Sequence, residues 1–146
     1  MTAYLETSFL VSLYTLDSNS ASAVAAVQSS GGPFPLTSFG ELELINAIEL
    51  RQFRREITSA QAKLGRVDLS RDLRAGLFQR APTTPAVYKE ALRLAHSHTA
   101  RLGVRSLDIL HVASALELGF TAFYTFDKRQ GQLARAAGLT LPLRLP

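Results

Sequence analysis

The 146-residue sequence contains no cysteine, no tryptophan and one methionine. The absence of cysteine excludes disulfide bonds and thiolate metal sites, so a zinc site would depend on the three histidines. No apolar run reaches the roughly 18 residues that a membrane-spanning helix needs, and the first residues lack a basic leader. Repeats and low-complexity tracts are also absent. We therefore expect one soluble, cytoplasmic domain over residues 1–146, long enough to bury a sizeable core.

Basic residues are missing from the first 50 positions, although the whole chain carries a net charge of +4. That segment holds five acids and no lysine or arginine. The rest of the chain holds all 16 basic side chains, 13 of them arginine, and carries a net charge of +9. Because the planar guanidinium group matches phosphate oxygens, this distribution suits the binding of a polyanion. A solvated basic surface without function is the alternative explanation.

The stretch from Leu102 to Gln130 predicts a buried helix, a strand and a second helix. Apolar residues from Leu107 to Leu118 cover nearly every face of the first helix, which is expected to end at Gly119. The aromatic run FTAFYTF predicts a strand that ends at Asp127. Asp127 is then a suitable N-cap for a helix over Lys128–Ala137.

Asp108 lies at the start of the buried helix, for which Ser106 is the predicted cap. In an open parallel sheet the carboxyl ends of the strands and the helix N-termini share one edge, where such folds bind ligands. Capping alone is enough to explain an aspartate in the first turn of a helix, and it contributes roughly 0.5–2 kcal/mol. A functional interpretation of Asp108 and Asp127 therefore needs further acids at the same edge.

Earlier segments repeat the order of short strand, polar turn and helix. Ala3–Leu5 predicts a strand that leads into Glu6 and a helix beginning at Thr7 or Ser8. Phe34–Thr37 predicts a second strand, followed by a capping box of Ser38 and Glu41 and a helix that contains Glu43 and runs to about Arg54. A helix is also predicted over Ser20–Ser30, with Ala23, Val24 and Val27 on the core. A capping box of Thr58 and Gln61 opens another helix to about Leu77, which forms a hairpin with the preceding helix, and Arg51, Arg54 and Arg55 lie on the first arm of that hairpin. The remaining predictions are a strand over Leu77–Arg80, a helix from Thr84 to Arg101 and a final strand over Leu139–Leu143.

Four acids thus occupy comparable positions, close to the start of a helix or the end of a strand: Glu6, Glu43, Asp108 and Asp127. Clustered carboxylates without cysteine specify hard cations, Mg²⁺ or Mn²⁺. Such a site supports phosphoryl chemistry by lowering the pKa of bound water and stabilising charge on the scissile phosphate. Glu43, among apolar neighbours, fits either a metal ligand or a buried ion-pair partner. Arg105 and Arg129 flank the acids, either as phosphate contacts or as ion-pair partners.

Four segments resemble the motifs of the PIN-domain ribonucleases, in particular the VapC-type toxins of bacterial toxin–antitoxin pairs. They are YLETSFLVSLY, TSFGELELINAIEL, LGVRSLDILHVASALELG and FYTFDKRQ, and the resemblance spans essentially the whole chain. It implies an α/β fold with a mostly parallel central sheet flanked by helices on both faces, from which the helical hairpin projects. It also implies that the four acids bind metal, with Ser8 and Thr125 supporting them through hydrogen bonds. Further implications are an RNA substrate cut to 5′-phosphate and 3′-hydroxyl ends, a homodimer, and a cognate antitoxin that inhibits by inserting a segment near the acids.

The first functional hypothesis is therefore a Mg²⁺- or Mn²⁺-dependent endoribonuclease. The second is a PIN-like RNA- or partner-binding protein with an impaired metal site, because the family usually has aspartate where Glu6 stands and Mg²⁺ requires near-ideal octahedral geometry. A haloacid-dehalogenase-like phosphatase or a receiver domain is disfavoured, since no second aspartate follows two residues after Glu6. His111, one turn after Asp108, is interpreted as a hydrogen-bonded core histidine in preference to a general base. His96 and His98 are assigned no role.

Overall fold

The computed structural model describes residues 3–144, and these fall into two compact units. We call residues 3–6 with 82–144 the terminal unit, and residues 7–81 the middle unit. The prediction of a single domain over residues 1–146 stays a prediction. No helix in the described part of the chain is long and apolar enough to cross a membrane.

The terminal unit is built on one pair of parallel strands. Its elements are β1 (Ala3–Leu5), α5 (Pro85–Leu94), a π-helical turn (Ala95–Thr99), α6 (Ala100–Leu102), α7 (Ser106–Glu117), β4 (Ala122–Tyr124) and α8 (Lys128–Ala136). Strands β1 and β4 pair in register from Ala3 opposite Ala122 to Leu5 opposite Tyr124. The predicted final strand over Leu139–Leu143 is wrong, because only Thr140 forms a bridge, to Ala122.

The core of the terminal unit forms where β1, β4 and α7 bury aromatic and branched side chains. The ring of Tyr4 stacks on that of Phe123, with centroids 5.5 Å apart and planes at 2°. Val112 on α7 and Leu133 on α8 are fully buried. Full burial of such a side chain contributes roughly 1.5–3 kcal/mol, which explains why three-residue strands persist here. The helix over 107–118 is confirmed within one residue, and the chain turns at Gly119 with φ +77°.

The middle unit holds a second pair of parallel strands and a group of packed helices. Its elements are α1 (Thr7–Tyr14), α2 (Ser20–Ser30), β2 (Phe34–Thr37), α3 (Ser38–Phe53), α4 (Ser59–Arg74) and β3 (Phe78–Ala81). Strands β2 and β3 pair in register from Phe34 opposite Phe78 to Thr37 opposite Ala81. Helix α1 packs on α2, α3 and α4, and α3 packs on α4. The α/β class with parallel strands is confirmed, while the projection of the α3–α4 hairpin stays a prediction.

Several helix boundaries differ from the predictions because the capping residue lies one position earlier. Thr37 caps α3 by accepting a hydrogen bond from the Gly40 backbone N–H at 3.0 Å, so the predicted box of Ser38 and Glu41 is wrong. Glu41 instead forms an ion pair with Arg80. The box of Thr58 and Gln61 is confirmed, with both reciprocal hydrogen bonds present.

Three further predictions failed in detail. Helix α4 ends at Arg74 instead of Leu77, since Gly76 adopts φ +80° and turns the chain. Val24 is exposed, so α2 buries only Ala23 of the three residues assigned to its core, while Val27 is half-buried. The predicted helix from Thr84 to Arg101 spans the right residues but passes through the π-helical turn.

Arg51 is not a free arginine of the hairpin. Its guanidinium lies 2.8 Å from Asp17 Oδ2 and donates to Thr15 Oγ1 at 2.8 Å. Partial burial raises the pKa of Asp17, but hydrogen bonds from Ser12 and the Asn19 backbone, together with the Arg51 charge, lower it below the usual value. This arginine therefore stabilises the middle unit.

Candidate active site

Two of the predicted acids, Asp108 and Asp127, line one pocket of about 430 Å³ in the terminal unit. The other lining residues are Gly103, Arg105, Lys128 and Arg129. Two carboxylates and three cationic side chains thus border a single cavity. A smaller apolar groove of about 210 Å³ between α5 and α7 is lined without any acid, so the mixed-charge pocket is the better candidate for chemistry.

Asp127 is fixed by two hydrogen bonds at the junction between β4 and α8. Its Oδ1 atom accepts from the Gln130 backbone N–H at 2.9 Å, which confirms it as the N-cap of α8. Its own N–H donates to Thr125 Oγ1 at 2.9 Å, and Thr125 is buried. Strand β4 ends at Tyr124, so the predicted strand end at Asp127 is wrong: the last residues form the turn that presents the carboxylate.

Asp108 lies in the first turn of α7, where the positive end of the helix dipole favours a carboxylate. Arg105, not Ser106, is the N-cap residue, because its backbone is extended while Ser106 is already helical. The Arg105 N–H donates weakly to Asp108 Oδ2 at 3.4 Å, and its Nε lies 3.6 Å from the same atom. The Arg105 side chain is 83% exposed. An exposed ion pair of this length contributes roughly 0–1 kcal/mol, so the guanidinium can turn to a phosphate at little cost.

Glu6 follows β1 directly and is 4% exposed. Its backbone N–H donates to the Tyr124 carbonyl at 3.1 Å, which extends the pairing of β1 with β4 by one residue. The carboxylate of Glu6 lies against the side-chain amide of Gln130, which is completely buried. With the amide nitrogen facing the carboxylate, Nε2 donates to Oε1 at 3.1 Å and to Oε2 at 3.2 Å. Gln130 was missed in the sequence, because the first turn of α8 is polar throughout and nothing distinguishes it from Lys128 and Arg129.

Glu43 belongs to the middle unit, unlike the other three acids. It is half-buried on α3, and its Oε1 atom accepts a hydrogen bond from the buried hydroxyl of Thr7. Thr7 had been assigned only to the helix start, and is a second polar residue that sequence reasoning missed. Ser8 lies in α1, where its carbonyl accepts from the Ser12 hydroxyl at 3.3 Å. The gathering of all four acids in one site, and the supporting role of Ser8, stay predictions.

His111 is buried on α7 and is hydrogen-bonded within the core. The Tyr4 hydroxyl lies 2.8 Å from His111 Nδ1, and the two rings meet edge to face with centroids 5.8 Å apart. The structure supports the interpretation as a core histidine, although this partner is a phenol where a carboxylate or the backbone was expected.

Comparison with known proteins identifies the family. Residues 3–137 match the PIN domain, and the chain therefore belongs to the PIN-domain family. Among solved structures, the fold is similar to that of VapC20 from Mycobacterium tuberculosis, described as a sarcin–ricin loop cleaving toxin. The two chains are 18% identical and superpose with a TM-score of 0.68, covering 95% of this chain and 97% of VapC20. A search of curated protein sequences gave no match.

Nucleases of this family generally use divalent metal ions. The predicted donors are all carboxylates, which is the ligand chemistry that Mg²⁺ and Mn²⁺ prefer. Within residues 3–144, no three or more histidine, aspartate or glutamate side chains are grouped closely enough to hold a metal ion. The carboxylate donors fit a hard cation by their chemistry alone, so metal binding and the choice between Mg²⁺ and Mn²⁺ both stay predictions.

Proposed function

We propose that this protein is a metal-dependent endoribonuclease of the toxin type, which hydrolyses phosphodiester bonds in RNA. The observation that carries the proposal is the pocket in which Asp108 and Asp127 lie beside Arg105, Lys128 and Arg129. Carboxylates supply ligands for a hard cation, and adjacent cationic side chains supply contacts for a polyanion. Membership of the PIN family supports the same activity.

In this proposal Glu6, Glu43, Asp108 and Asp127 hold Mg²⁺ or Mn²⁺. When bound, such an ion lowers the pKa of a coordinated water and neutralises charge on the scissile phosphate. The protein's own contribution is to fix the carboxylates. Thr125 does so by holding the Asp127 backbone, and Ser8 is proposed as a second support.

Arg105 and Arg129 are proposed to hold the RNA backbone on either side of the acids. Guanidinium groups bind phosphate through paired N–H donors. Lys128, which was not predicted, adds a third positive charge to the same pocket. Because each neutralised phosphate releases counterions, binding of RNA should weaken steeply as salt is raised.

The test is cleavage of total RNA with Mn²⁺ by the native protein and by Asp108→Asn. Removing a residue that only orients a metal ligand lowers metal affinity or activity roughly 10- to 100-fold, so removing a ligand itself should reduce cleavage by more than about 100-fold. Asp68→Asn, an acid on α4 that is paired with Arg71, is the matched control and should cleave normally. A sarcin–ricin loop RNA belongs among the substrates because VapC20 cleaves that loop. Equal cleavage by the native protein and Asp108→Asn would defeat the proposal.

The second candidate is a PIN-like protein that binds RNA or a partner without cutting efficiently. It is motivated by Glu6, whose additional methylene shifts the carboxylate by about one carbon–carbon bond relative to aspartate. Calorimetric titration of Mn²⁺ into native protein and Glu6→Asp separates the two candidates. Strong binding by the native protein removes the second candidate, whereas binding restored only by Glu6→Asp shows that the native metal site is impaired, as the second candidate requires.

A toxin of this type would also act with partners. We propose a cognate antitoxin and a homodimer, both of which the resemblance to VapC toxins implies. Co-expression with the product of an adjacent reading frame, followed by light scattering on the purified complex, tests both proposals. Recovery of the protein alone and monomeric contradicts them.

A further inference from the structure

Gln130 is completely buried in the terminal unit and touches two of the acids of the proposed site. Its backbone N–H caps Asp127, while its side-chain amide lies against the carboxylate of Glu6. The two distances from Nε2, 3.1 Å to Oε1 and 3.2 Å to Oε2, are nearly equal, so the amide faces both carboxylate oxygens at once.

The Glu6 carboxylate and the Asp108 carbonyl demand opposite orientations of the amide, and the charged carboxylate is the stronger acceptor. If the oxygen faced Glu6, two acceptors would be in contact, and Nε2 would lie 3.3 Å from the Asp108 carbonyl. That carbonyl lies inside α7, where the regular partner is the backbone N–H four residues on. The orientation with nitrogen toward Glu6 instead directs one N–H between the two carboxylate oxygens, in a bifurcated, charge-assisted hydrogen bond, and charge-assisted hydrogen bonds are stronger than neutral ones.

A buried amide at this position is not explained by helix capping. Gln130 is the third residue of α8, from which a glutamine side chain commonly reaches back to the N–H of the capping residue. Here that N–H, on Asp127, already donates to Thr125 Oγ1. An apolar side chain would meet the packing requirement of the helix, as Leu133 and Ala134 do, whereas a buried amide is costly unless it forms hydrogen bonds.

We propose that Gln130 is a positioning residue that holds the Glu6 carboxylate in the orientation required to bind a divalent cation. This inference rests on the proposed function. A glutamate side chain has three rotatable bonds, and the amide restricts their rotation by hydrogen bonding to both carboxylate oxygens. A carboxylate oxygen has two lone pairs, so a hydrogen bond from an amide is compatible with coordination of a cation. The backbone N–H of Gln130 also holds the Asp127 carboxylate, so Glu6 and Asp127 are both oriented by the first turn of α8.

The test is calorimetric titration of Mn²⁺ into metal-free native protein and Gln130→Met, which keeps the length and the backbone N–H but lacks the amide. Loss of an orienting partner should raise the dissociation constant for Mn²⁺ roughly 10- to 100-fold. Gln132→Met is the matched control, because Gln132 lies exposed on the same helix, and it should bind Mn²⁺ as the native protein does. Circular dichroism establishes that both variants fold.

A double variant shows whether Gln130 acts through Glu6. In a Glu6→Gln background the carboxylate is absent, so adding Gln130→Met should change the Mn²⁺ dissociation constant by less than about twofold. A full 10- to 100-fold effect in that background would mean that Gln130 acts by another route, and would overturn the proposal. So would native affinity in the single Gln130→Met variant.

A measurement without metal separates this inference from the proposed function. The side-chain amide resonances of Gln130 are those missing from the NMR spectrum of Gln130→Met. In metal-free native protein they should shift when Glu6 is replaced by glutamine, and an unchanged position overturns the contact. If the native protein binds Mn²⁺ but Gln130→Met binds equally well, only the positioning role fails. If the native protein does not bind Mn²⁺, the proposed function fails, and the positioning role for metal fails with it.

Discussion

Replacing Gly65 by alanine tests how closely α1 and α4 approach. Alanine in place of an interior helical glycine normally stabilises a helix by roughly 1 kcal/mol. At this position the added Cβ atom would lie 2.6 Å from the backbone oxygen of Tyr14, whereas ordinary contacts begin at 3.4 Å. The obstacle is backbone, and Thr15 beyond it is held to Val11 by a hydrogen bond of 2.6 Å, so the contact does not relax by rotating a side chain. Overpacking of this kind costs roughly 1–3 kcal/mol.

The two effects leave a net loss of up to about 2 kcal/mol in the free energy of unfolding. In a chain of this size 1 kcal/mol corresponds to a shift in Tm of roughly 3 °C. Urea denaturation of Gly65→Ala beside Lys63→Ala, an exposed position on the same helix, measures the difference. The control should change by less than about 0.5 kcal/mol. If Gly65→Ala is instead more stable than the native protein by the roughly 1 kcal/mol expected from helix propensity, α1 and α4 do not approach as closely as described.

Three further predictions concern hydrogen-bonded groups. Burial, and next to it the hydrogen bond to Asp72 at 2.8 Å, raises the pKa of Tyr14 far above its ordinary value. The contribution of Tyr14 to stability is therefore complete below about pH 10 and is lost as the pH rises further. Tyr14→Phe should lower the free energy of unfolding by about 1–2 kcal/mol at neutral pH and reduce the loss of stability at alkaline pH, both measured by urea denaturation. Asp17 has the opposite pH dependence, because its pKa is lowered: its contribution to stability is present above about pH 4 and is lost below it. Asp17→Asn should therefore be less stable than the native protein at neutral pH and lose less stability in acid. Asp127→Asn should keep its Tm, because asparagine caps as well as aspartate, yet lose Mn²⁺ affinity; loss of stability with unchanged Mn²⁺ affinity would make Asp127 a purely structural cap.

Features with a local physical cause were predictable from the sequence. The capping box at Thr58 and the cap at Asp127 depend on side chains within three residues of the helix start, and both are confirmed. The bounds of Ser20–Ser30 are also confirmed, and that helix ends at Gly31, which adopts φ +76°. The placement of Glu6 directly after a strand is likewise confirmed, since three buried apolar residues precede it.

Features that depend on distant partners were not predictable. Thr37 and Arg105 take the cap positions because the chain leaves the extended conformation one residue earlier than side-chain preference suggested. Arg51 is predicted only on the first arm of the hairpin, because nothing in its neighbourhood reveals its partner Asp17, 34 positions away. Gln130 is the sharpest case, since its partner Glu6 lies 124 positions earlier in the chain. Such contacts arise from strand pairing and helix packing, which leave no periodic trace in the sequence.

Capping and metal binding are competing explanations of the two aspartates in the sequence, but the chemistry of a carboxylate allows both at once. A carboxylate has two oxygens and about four acceptor positions. In Asp127 the cap engages Oδ1, and in Asp108 the contacts with Arg105 engage Oδ2. The capping bond orients Asp127 while using one of about four acceptor positions, and both aspartates border the charged pocket. Stability favours aspartate at the start of α8, and in the proposed function the same hydrogen bond also orients Asp127 toward the cation.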